Sequence, residues 1–431
     1  MVLATLAAGA VAVMAIWWVD TPSTSLSTFA DKVTAAGRVT GLVGTYLLII
    51  QVVLMARIPW LDRFIGSDRL SAWHRTNGQY TVGLLVAHAA LTIWGYARFD
   101  HVSVVSETNT VVRTYTDMVA ATVGLFLLVA IGVTSARWAR RRLKYQTWYF
   151  VHLYTYLGLA LSFSHQLATG NDFVTHRSNR VWWALLYGVP LVLLLIHRVA
   201  VPIRDGFRHR LRVASVVTEG PNAVSVQVTG RDLEQLRAES GQFFRWRFLT
   251  RRTWWEAHPY SLSAAPNPQF LRLTAKGDGD HSDDLRVLRP GVRVMTEGPY
   301  GAFTARRARL SNVLLIAGGV GITPLRAMLE TMAGDGTELT LLYRAHSHDD
   351  VLFADELRAL AGHDAVTVHL LLGSRDHQRG LTPGGLAQLV PGVADHDVYV
   401  CGPPGMVKLV RTSLRSLGVR RSQIHTERFE L

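Results

Sequence analysis

Cysteine is nearly absent from this chain of 431 residues, which contains a single one, Cys401. A lone thiol excludes a disulfide framework, and it also excludes a four-cysteine iron–sulfur cluster or a thiolate zinc site within the chain. Charged residues are few as well, at 18%, against 49% hydrophobic residues. This balance, together with a positive mean hydropathy, indicates that part of the chain lies in a membrane.

Acidic residues are outnumbered by basic ones, and the formal net charge is +13. Such a charge fits a nucleic-acid-binding protein when the basic residues form one arm or stripe. Here they form neither, and many of them flank apolar segments, as is typical of membrane proteins. We therefore expect membrane lipid, and not nucleic acid, as a partner.

Six apolar runs are long enough and poor enough in charge to cross a bilayer. They cover residues 2–19, 41–56, 73–97, 118–136, 147–168 and 181–201. The first run lacks the basic segment that precedes the apolar core of a signal peptide, so we interpret it as a span. The second run is short unless its helix begins nearer Ala35. These runs predict a six-helix transmembrane bundle.

Loop charge predicts the orientation of these spans. Basic residues follow the second, fourth and sixth runs, whereas the loops on the other side are mixed or acidic. The residues after the fourth run include Arg137, Arg140, Arg141, Arg142 and Lys144, with no acidic residue among them. The positive-inside rule therefore places both termini and all residues after His209 in the cytoplasm of a multi-pass cell-membrane protein.

Four histidines lie inside the apolar runs: His74 and His88 in the third, and His152 and His165 in the fifth. Both runs are odd-numbered and so point the same way, which pairs His74 with His152 near the cytoplasmic face and His88 with His165 near the outer face. The two histidines within one run lie roughly 20 Å apart along the helix axis. Such pairs predict two bis-histidine iron sites. The alternative is that each histidine bonds a neighbouring helix, but four at matched depth favour a function.

The spacing in the fifth run is difficult to reconcile with a regular helix. At about 100° per residue, the spacing of fourteen from His74 to His88 returns to within about 40° of the same face. The spacing of thirteen from His152 to His165 leaves the two rings about 140° apart. A tightened stretch of helix between them, or helix tilt with different rotamers, would correct this difference. We expect His197 at the membrane surface and His101 and His176 in outer loops.

The composition after Pro202 is that of a soluble α/β region. Short alternating runs at residues 223–228, 243–248, 271–275 and 292–296 predict antiparallel strands of a small barrel that ends near Phe303. From Val313 onward, apolar strands alternate with helices, as in a doubly wound parallel sheet. The sequence thus predicts three domains, at residues 1–205, 206–305 and 306–431.

Two turns in the last domain follow apolar strands and precede helices. The first is Gly318-Gly319-Val320-Gly321-Ile322-Thr323-Pro324, and the second is Cys401-Gly402-Pro403-Pro404-Gly405-Met406. Glycines let a backbone approach a pyrophosphate, and the helix N-terminus that follows supplies amide donors. Two such turns at one sheet edge predict a dinucleotide site, with the Cys401 thiol placed against a nicotinamide ring.

These residues carry a resemblance to a known family. His258-Pro259-Tyr260-Ser261 resembles the flavin signature of the ferredoxin–NADP reductase superfamily, and Glu297-Gly298-Pro299-Tyr300-Gly301 resembles its barrel-closing segment. With the six runs and four histidines ahead of this module, the chain is similar to the NADPH oxidase and ferric reductase family, which has paired histidines on its third and fifth spans at this spacing.

The resemblance implies FAD, NADPH and two b-type haems as cofactors. It implies that Tyr260 packs on the flavin ring, that His258, Pro259 and Ser261 contact the same cofactor, and that Phe429 covers the flavin until nicotinamide displaces it. Lys276, Gly279, His281 and Ser282 resemble the segment that holds the FAD pyrophosphate. Tyr343 and Arg344, with Arg375 after the next strand, occupy the position where the family places a cation for the 2′-phosphate of NADPH.

The implied activity is transmembrane electron transfer from NADPH through FAD and the haems to an acceptor outside. Dioxygen, reduced to superoxide, is the first candidate, and a ferric chelate or an extracytoplasmic redox protein are the alternatives. In the family, superoxide-forming members often have a second histidine one turn after the outer one; Thr92 occupies that position here, which weakens the case for dioxygen. Arg38 could polarise an oxygen or attract a chelate anion. A haem transporter or sensor is disfavoured by the flavin and nicotinamide motifs.

Overall fold

The computed structural model describes residues 2–21, 26–143, 145–220, 222–277, 280–334, 337–373 and 379–427. Gly279, Arg375 and Phe429 therefore lie outside the described residues, as do the side chains of His281 and Ser282. The chain forms two compact units: Met1–Arg57 with Leu70–Ile196, and Ile58–Arg69 with His197–Leu431. The first unit is helical, and the second contains all the described strands.

Helices occupy most of the chain up to residue 195. In chain order they are α1 Val2–Asp20, α2 Phe29–Met55, α3 Pro59–Ile65, α4 Ser67–Phe99, α5 Val104–Thr114, α6 Met118–Ser135, α7 Arg137–Arg140, α8 Tyr145–Leu153, α9 Thr155–Leu161, α10 Ser164–Thr169, α11 Asn171–Val174 and α12 Arg177–Leu195. A π-helical segment, Ile196–Ala200, continues α12 into α13, Val201–His209.

Four stretches of described helix are long and apolar enough to cross a membrane: Phe29–Met55, Arg69–Phe99, Met118–Ser135 and Arg177–His209. They contain the whole of the third and sixth predicted runs and all but the last residue of the second and fourth. The second helix begins at Phe29, before Ala35, which removes the concern about its length. The first predicted run forms α1, whose residues Ala7–Val19 make a shorter apolar helix.

The fifth predicted run is divided into α8, α9 and α10, with turns at Tyr154 and at residues 162–163. Bonds from an amide to the carbonyl three residues earlier occur at these breaks, from Tyr154 to Val151, from Phe163 to Ala160, and from Gln166 to Phe163. Such bonds wind the chain more tightly than an α-helix. The expected tightening between the two histidines is therefore present, and it is concentrated at two breaks.

Small residues and amides hold the helices of the first unit together. A Cβ atom at Gly124 of α6 would lie 2.5 Å from Ser162 Oγ and 2.9 Å from the Gly158 carbonyl oxygen, so glycine allows α6 to approach α9 closely. Between α2 and α4, Asn77 Nδ2 donates to the Leu47 carbonyl at 2.9 Å. Cross-helix amide bonds of this kind fix helix register where no water competes.

The second unit continues with eleven strands and five helices. The strands are β1 Arg212–Gly220, β2 Ala223–Thr229, β3 Phe243–Phe248, β4 His258–Ser261, β5 Leu271–Lys276, β6 Val294–Tyr300, β7 Asn312–Gly318, β8 Glu338–Ala345, β9 Val366–Leu372, β10 Asp397–Cys401 and β11 Ile424–Glu427. The helices are α14 Asp280–Arg286, α15 Ile322–Met332, α16 Ala354–Leu360, α17 Pro383–Leu389 and α18 Pro404–Ser416.

The first six strands form two antiparallel sheets, with orders β1-β2-β5 and β4-β3-β6. Alternate side chains of both sheets, among them Val226, Trp246 and Leu273, share one buried core. Single bridges join the sheets at both edges, between Arg212 and Arg293 and between Leu262 and Leu273. The two sheets therefore pack around one core and are linked at two edges.

The last five strands form one parallel sheet in the order β11-β10-β7-β8-β9. Val313 and Leu315 of β7 face a core that includes residues of α15 and α16, while Leu314 and Ile316 face a second core that includes residues of α17 and α18. Burial on both faces explains why β7 is continuously apolar. The doubly wound architecture predicted for this region is present.

Candidate functional site

The inner histidine pair meets across two helices. The ring centroids of His74 on α4 and His152 on α8 lie 5.9 Å apart, with the ring planes at 72°. Metal–nitrogen bonds of about 2 Å on opposite sides of one iron would place the two ring centres roughly 6 Å apart. The observed spacing therefore suits a pair of axial ligands.

Residues of α6 and α8 orient His152. Its Nδ1 is hydrogen-bonded to Ser135 Oγ at 3.2 Å, and Trp148 Nε1 donates to the same hydroxyl oxygen at 3.2 Å. The Trp148 ring stacks on His152 with centroids 5.1 Å apart, and the Arg140 guanidinium lies 4.7 Å from the Trp148 centroid. A bond at Nδ1 selects Nε2 for a metal, because the two ring nitrogens then have different roles.

In the outer histidine pair, His88 is hydrogen-bonded to a backbone carbonyl. His88 Nδ1 lies 2.8 Å from the Gly37 carbonyl oxygen of α2. A Cβ atom at Gly41 would lie only 2.5 Å from His88 Nδ1, so α2 can run beside this ring because residue 41 is glycine. His74 Nδ1 and His165 Nδ1 are buried with no hydrogen-bond partner among the described residues.

These observations fit haem better than a small metal centre. No group of three or more histidine, cysteine or acidic side chains suited to a metal ion occurs within the described part of the chain. In each predicted histidine pair, one ring is held at Nδ1, and the other has a buried Nδ1 with no hydrogen-bond partner in the described part of the chain. An axial haem site needs two such donors per iron, because the porphyrin supplies the other four.

The flavin signature forms β4 at the edge of its sheet. Tyr260 and His258 pair with Phe244 and Trp246 of β3, and Trp246 Nε1 donates to the Tyr260 carbonyl at 3.1 Å. Burial raises the pKa of the Tyr260 phenol, which therefore stays neutral. Burial lowers the pKa of His258, although its Nε2 lies 3.1 Å from Glu256 Oε2.

Other predicted flavin residues have definite positions. Pro259 is exposed and Ser261 is buried on the same strand. Lys276 ends β5, where its ammonium donates to Asp350 Oδ1 at 2.8 Å and lowers the pKa of that carboxyl below its ordinary value. The barrel-closing segment contains Gly301, whose amide donates to Asp62 Oδ2 at 2.7 Å.

The two glycine turns of the parallel sheet touch one another. Cys401 of β10 lies beside Ala317 of β7, so both strands end at the same edge. A Cβ atom at Gly321 would overlap the Cys401 carbonyl oxygen, and one at Gly402 would lie 3.1 Å from Gly318 Cα. Side chains at these positions would therefore force the two turns apart.

The first turn also has the conformation that an anion site needs. Gly319 has φ +56, with open space where a Cβ atom would project. Thr323 and Pro324 begin α15 and are buried, and Thr323 Oγ1 donates to the Val320 carbonyl at 3.0 Å. The backbone is thus held so that the α15 N-terminus faces the sheet edge where a pyrophosphate binds in this class of fold.

The predicted 2′-phosphate and nicotinamide residues differ in exposure. Tyr343 is fully buried, burial raises its pKa to about 12, and its hydroxyl accepts a bond from the Leu352 amide. Arg344 is half-buried at the end of β8 beside Gly318. Cys401 is fully buried, and Pro403 next to it is exposed. Of these residues, Arg344 has the position suited to a phosphate.

Several supporting residues were not identified from the sequence. Ser135 and Trp148 support His152, and Gly37 and Gly41 border His88. The four-residue spacing of the two glycines was a detectable signal, because small residues at that spacing mark close helix contacts. Nothing in the sequence pairs Ser135 with a histidine on another helix.

Sequence models of three families match successive parts of the chain. They are the ferric reductase like transmembrane component at residues 40–163, an FAD-binding domain at 208–304, and the oxidoreductase NAD-binding domain at 315–412. The first match contains His74, His88 and His152.

Individual relatives match the second unit. Ferredoxin–NADP reductase B of Sorangium cellulosum is 35% identical over 188 residues, which cover 40% of this chain and 77% of that protein. The ferredoxin reductase component of 3-ketosteroid-9-alpha-monooxygenase from Mycolicibacterium smegmatis is 33% identical over 234 residues, 51% of this chain and 65% of that protein. The FAD/NAD-binding domain of nitric oxide dioxygenase from Vibrio cholerae is a solved structure with 25% identity and a TM-score of 0.44, covering 52% of this chain and 99% of that domain.

The fold and the family matches together define a membrane protein that is an oxidoreductase with FAD- and NAD(P)-binding domains. The chain belongs to the NADPH oxidase and ferric reductase-like family, in which a ferric reductase-like transmembrane domain precedes a ferredoxin–NADP reductase-type module.

Proposed function

We propose that this protein transfers electrons from cytoplasmic NADPH, by way of FAD and two b-type haems, to dioxygen on the outer face of the cell membrane. The observation that carries this proposal is the pairing of histidines, with His74 and His152 at a centroid distance of 5.9 Å, in a chain that also has flavin and nicotinamide domains. Six transmembrane helices, a flavin barrel and the boundaries at residues 205/206 and 305/306 are part of the proposal.

FAD accepts a hydride and releases single electrons, which haem irons accept one at a time. The residues proposed for FAD are His258, Pro259, Tyr260 and Ser261, with Lys276, Gly279, His281, Ser282 and Phe429. Those proposed for NADPH are Gly318, Gly319, Gly321, Thr323, Pro324, Arg344, Arg375, Cys401, Gly402 and Pro403. The neutral Tyr260 ring offers an apolar face, and the glycine turns offer backbone amides.

Dioxygen as the acceptor is supported by a hydroxyl near the outer pair. Thr92 follows His88 by one turn of α4, and its Oγ1 is buried without a hydrogen-bond partner among the described residues. An unsatisfied buried hydroxyl is costly, and this one could donate a hydrogen bond to the superoxide anion, which accepts strongly where neutral dioxygen does not. One hydride then reduces two dioxygen molecules to two superoxide ions, and one proton is released on the cytoplasmic side.

A ferric chelate is the second candidate, and Arg38 of α2 favours it. Arg38 directly follows Gly37, whose carbonyl bonds His88, so a cation lies close to the outer site in the chain. Ferric chelates are commonly anionic, and a cation at the outer end of a span would attract them. Delivery of electrons to an extracytoplasmic redox protein is the remaining alternative.

The decisive experiment adds NADPH to the purified full chain in nanodiscs, with dioxygen or ferric citrate as acceptor. We expect cytochrome c reduction that superoxide dismutase abolishes. Ferric citrate reduction that continues without oxygen and outcompetes superoxide formation would assign the second function instead. A rate that is negligible with both acceptors would contradict both functions and leave a protein acceptor.

Removal of either of two threonine hydroxyls on α4 provides a second test between dioxygen and a ferric chelate as the acceptor. Thr92→Val should lower superoxide formation and leave ferric citrate reduction unchanged, because only the small acceptor uses the hydroxyl. Thr81→Val is the matched control, since Thr81 is a buried threonine of the same helix whose hydroxyl already donates to the Asn77 carbonyl at 2.9 Å. Equal effects of the two substitutions on both acceptors would refute the role of Thr92.

A further inference from the structure

A cavity of ≈ 250 Å³ lies in the second unit between the final turns of the last candidate span, Arg177–His209, and the strands β3 and β6. Arg198 and Ile203 line it from the helix side, Arg245 and Arg247 from β3, Glu297 from β6, and Trp254 from the β3–β4 loop. None of these lining residues has a part in the proposed flavin or nicotinamide contacts.

The cavity is on the opposite face of the sheet from the flavin tyrosine. Side chains alternate along β3, so Arg245 and Arg247 point away from the core that buries Phe244 and Trp246. Tyr260 is directly opposite Phe244 in the antiparallel register and therefore shares the face of Phe244. The cavity is thus distinct from the site proposed for the isoalloxazine.

Positive charge exceeds negative charge in this cavity. Three guanidinium groups line it against the one carboxylate of Glu297, which lies 3.9 Å from Arg247. Arg245 donates to the Ala257 carbonyl at 2.9 Å, but its buried Nε has no hydrogen-bond partner in the described structure. Burial also lowers the pKa of Arg245, as expected for a cation whose lost hydration is not replaced by an anion.

The remaining walls are apolar and open to the surroundings. Ile203 is 46% exposed and Trp254 is 59% exposed. The helix stretch Arg177–His209 is long and apolar enough to cross a membrane, and Arg198 and Ile203 belong to its final turns. Arginine and tryptophan at the end of a span are typical of the zone where lipid headgroups lie.

We propose that this cavity binds the phosphate of an anionic glycerophospholipid from the adjoining leaflet. Arg198, Arg245 and Arg247 supply the charge and the planar donors that bind phosphate oxygens. Trp254 and Ile203 contact the glycerol and the first methylenes of the acyl chains. A lipid is the source, in preference to free phosphate, because the apolar walls and the open side extend from the end of a membrane span.

The proposal can be tested on the full chain in phosphatidylcholine nanodiscs with and without phosphatidylglycerol. Lipid retained after transfer to detergent is measured by native mass spectrometry, with inorganic phosphate added as a competitor in one arm. We expect phosphatidylglycerol to be retained selectively and inorganic phosphate not to displace it. Arg198→Gln and Arg247→Gln should each weaken retention by about tenfold, the usual scale for a charged hydrogen bond.

Arg251→Gln is the matched control, because it removes the same charge from the exposed β3–β4 loop without lining the cavity. Val199→Trp, which fills the cavity and leaves every charge, should also abolish retention. FAD content, measured on each variant, should remain at the level of the unaltered protein. Equal retention of the two lipids, displacement by phosphate, an equal effect of Arg251→Gln, or loss of FAD with the lipid would each overturn the proposal.

Discussion

The first and the second unit present their candidate cofactor sites in opposite ways. In the first, single side-chain atoms are the proposed ligands, and His74 and His152 face each other with ring centroids 5.9 Å apart. In the second, the nucleotide turns are built from backbone, and the important property of Gly318, Gly321 and Gly402 is that they have no side chain.

The difference follows from what each cofactor offers. An iron needs a nitrogen lone pair at a fixed distance, which only a side chain supplies. A pyrophosphate is bound by several amides, which a close-packed turn and a helix N-terminus supply. The membrane site should therefore be sensitive to the removal of atoms, and the nucleotide site to their addition.

Removal of one ligand gives the largest expected effect. His88→Ala should remove the outer haem and leave the inner one, because each pair shares no ligand with the other. Reduced-minus-oxidised spectra and haem content per chain measure this loss. His101→Ala, an exposed histidine outside the spans, is the control. An unchanged spectrum of the His88 variant would refute the ligand assignment.

Addition of one methyl group tests the expectation that the glycine turns are sensitive to added atoms. Gly321→Ala places a Cβ atom against the Cys401 carbonyl and should destabilise the nucleotide domain by about 1–3 kcal/mol, with a large loss of hydride transfer from NADPH. Thermal unfolding and stopped-flow flavin reduction measure the two effects. Gly384→Ala is the control, since nothing lies within 4 Å of its Cβ position. Equal behaviour of the two variants would contradict the close contact between the turns.

Loss of the positive charge at the end of β8 should impair the reaction with NADPH less than a substitution in the glycine turns. Arg344→Gln is expected to raise the KM for NADPH by about 10- to 100-fold and to leave that for NADH nearly unchanged, since a charged hydrogen bond contributes roughly 1.5–3 kcal/mol. Steady-state kinetics with both nucleotides measure the ratio of the KM for NADPH to the KM for NADH. Arg411→Gln, on an exposed position of α18, is the control. A parallel change for both nucleotides would show that Arg344 does not bind the 2′-phosphate.

The smallest expected effect comes from removing a hydrogen bond to one of the proposed haem ligands. Ser135→Ala removes the hydroxyl bonded to His152 and should shift the midpoint potential of the inner haem by about 20–60 mV, the equivalent of one hydrogen bond for a one-electron couple. Redox titration measures the shift, with haem content unchanged. Thr134→Ala is the control, because its hydroxyl bonds within α6 to Ile131. No shift, or an equal shift in the control, would remove Ser135 from the haem site.

The apolar helices, the parallel sheet and its glycine turns were predictable because each depends on short-range pattern. An apolar run, a strand followed by glycine and a helix are local properties of the chain. The doubly wound sheet was confirmed, as was the tightening between His152 and His165, which the mismatch of thirteen residues with the helical period required. The single predicted fifth helix is instead three short ones.

Other features depend on contacts between distant residues. The bond from Gly37 to His88 joins positions 51 apart, and that from Ser135 to His152 joins different helices. Tyr343 was predicted next to Arg344 at the cofactor site, yet strand alternation turns its ring into the core. Which face a strand residue presents is decided by the sheet around it.

The sequence by itself determined the membrane character and the location of the glycine turns, and it predicted the pairing of the histidines, because apolar runs and motifs along the chain set each of these. Only the tertiary structure decided which atoms hold the rings of His88 and His152, that the turns of β7 and β10 touch, and that three arginines surround one cavity. Those features depend on distances between segments far apart in the chain, and packing of the whole fold sets them.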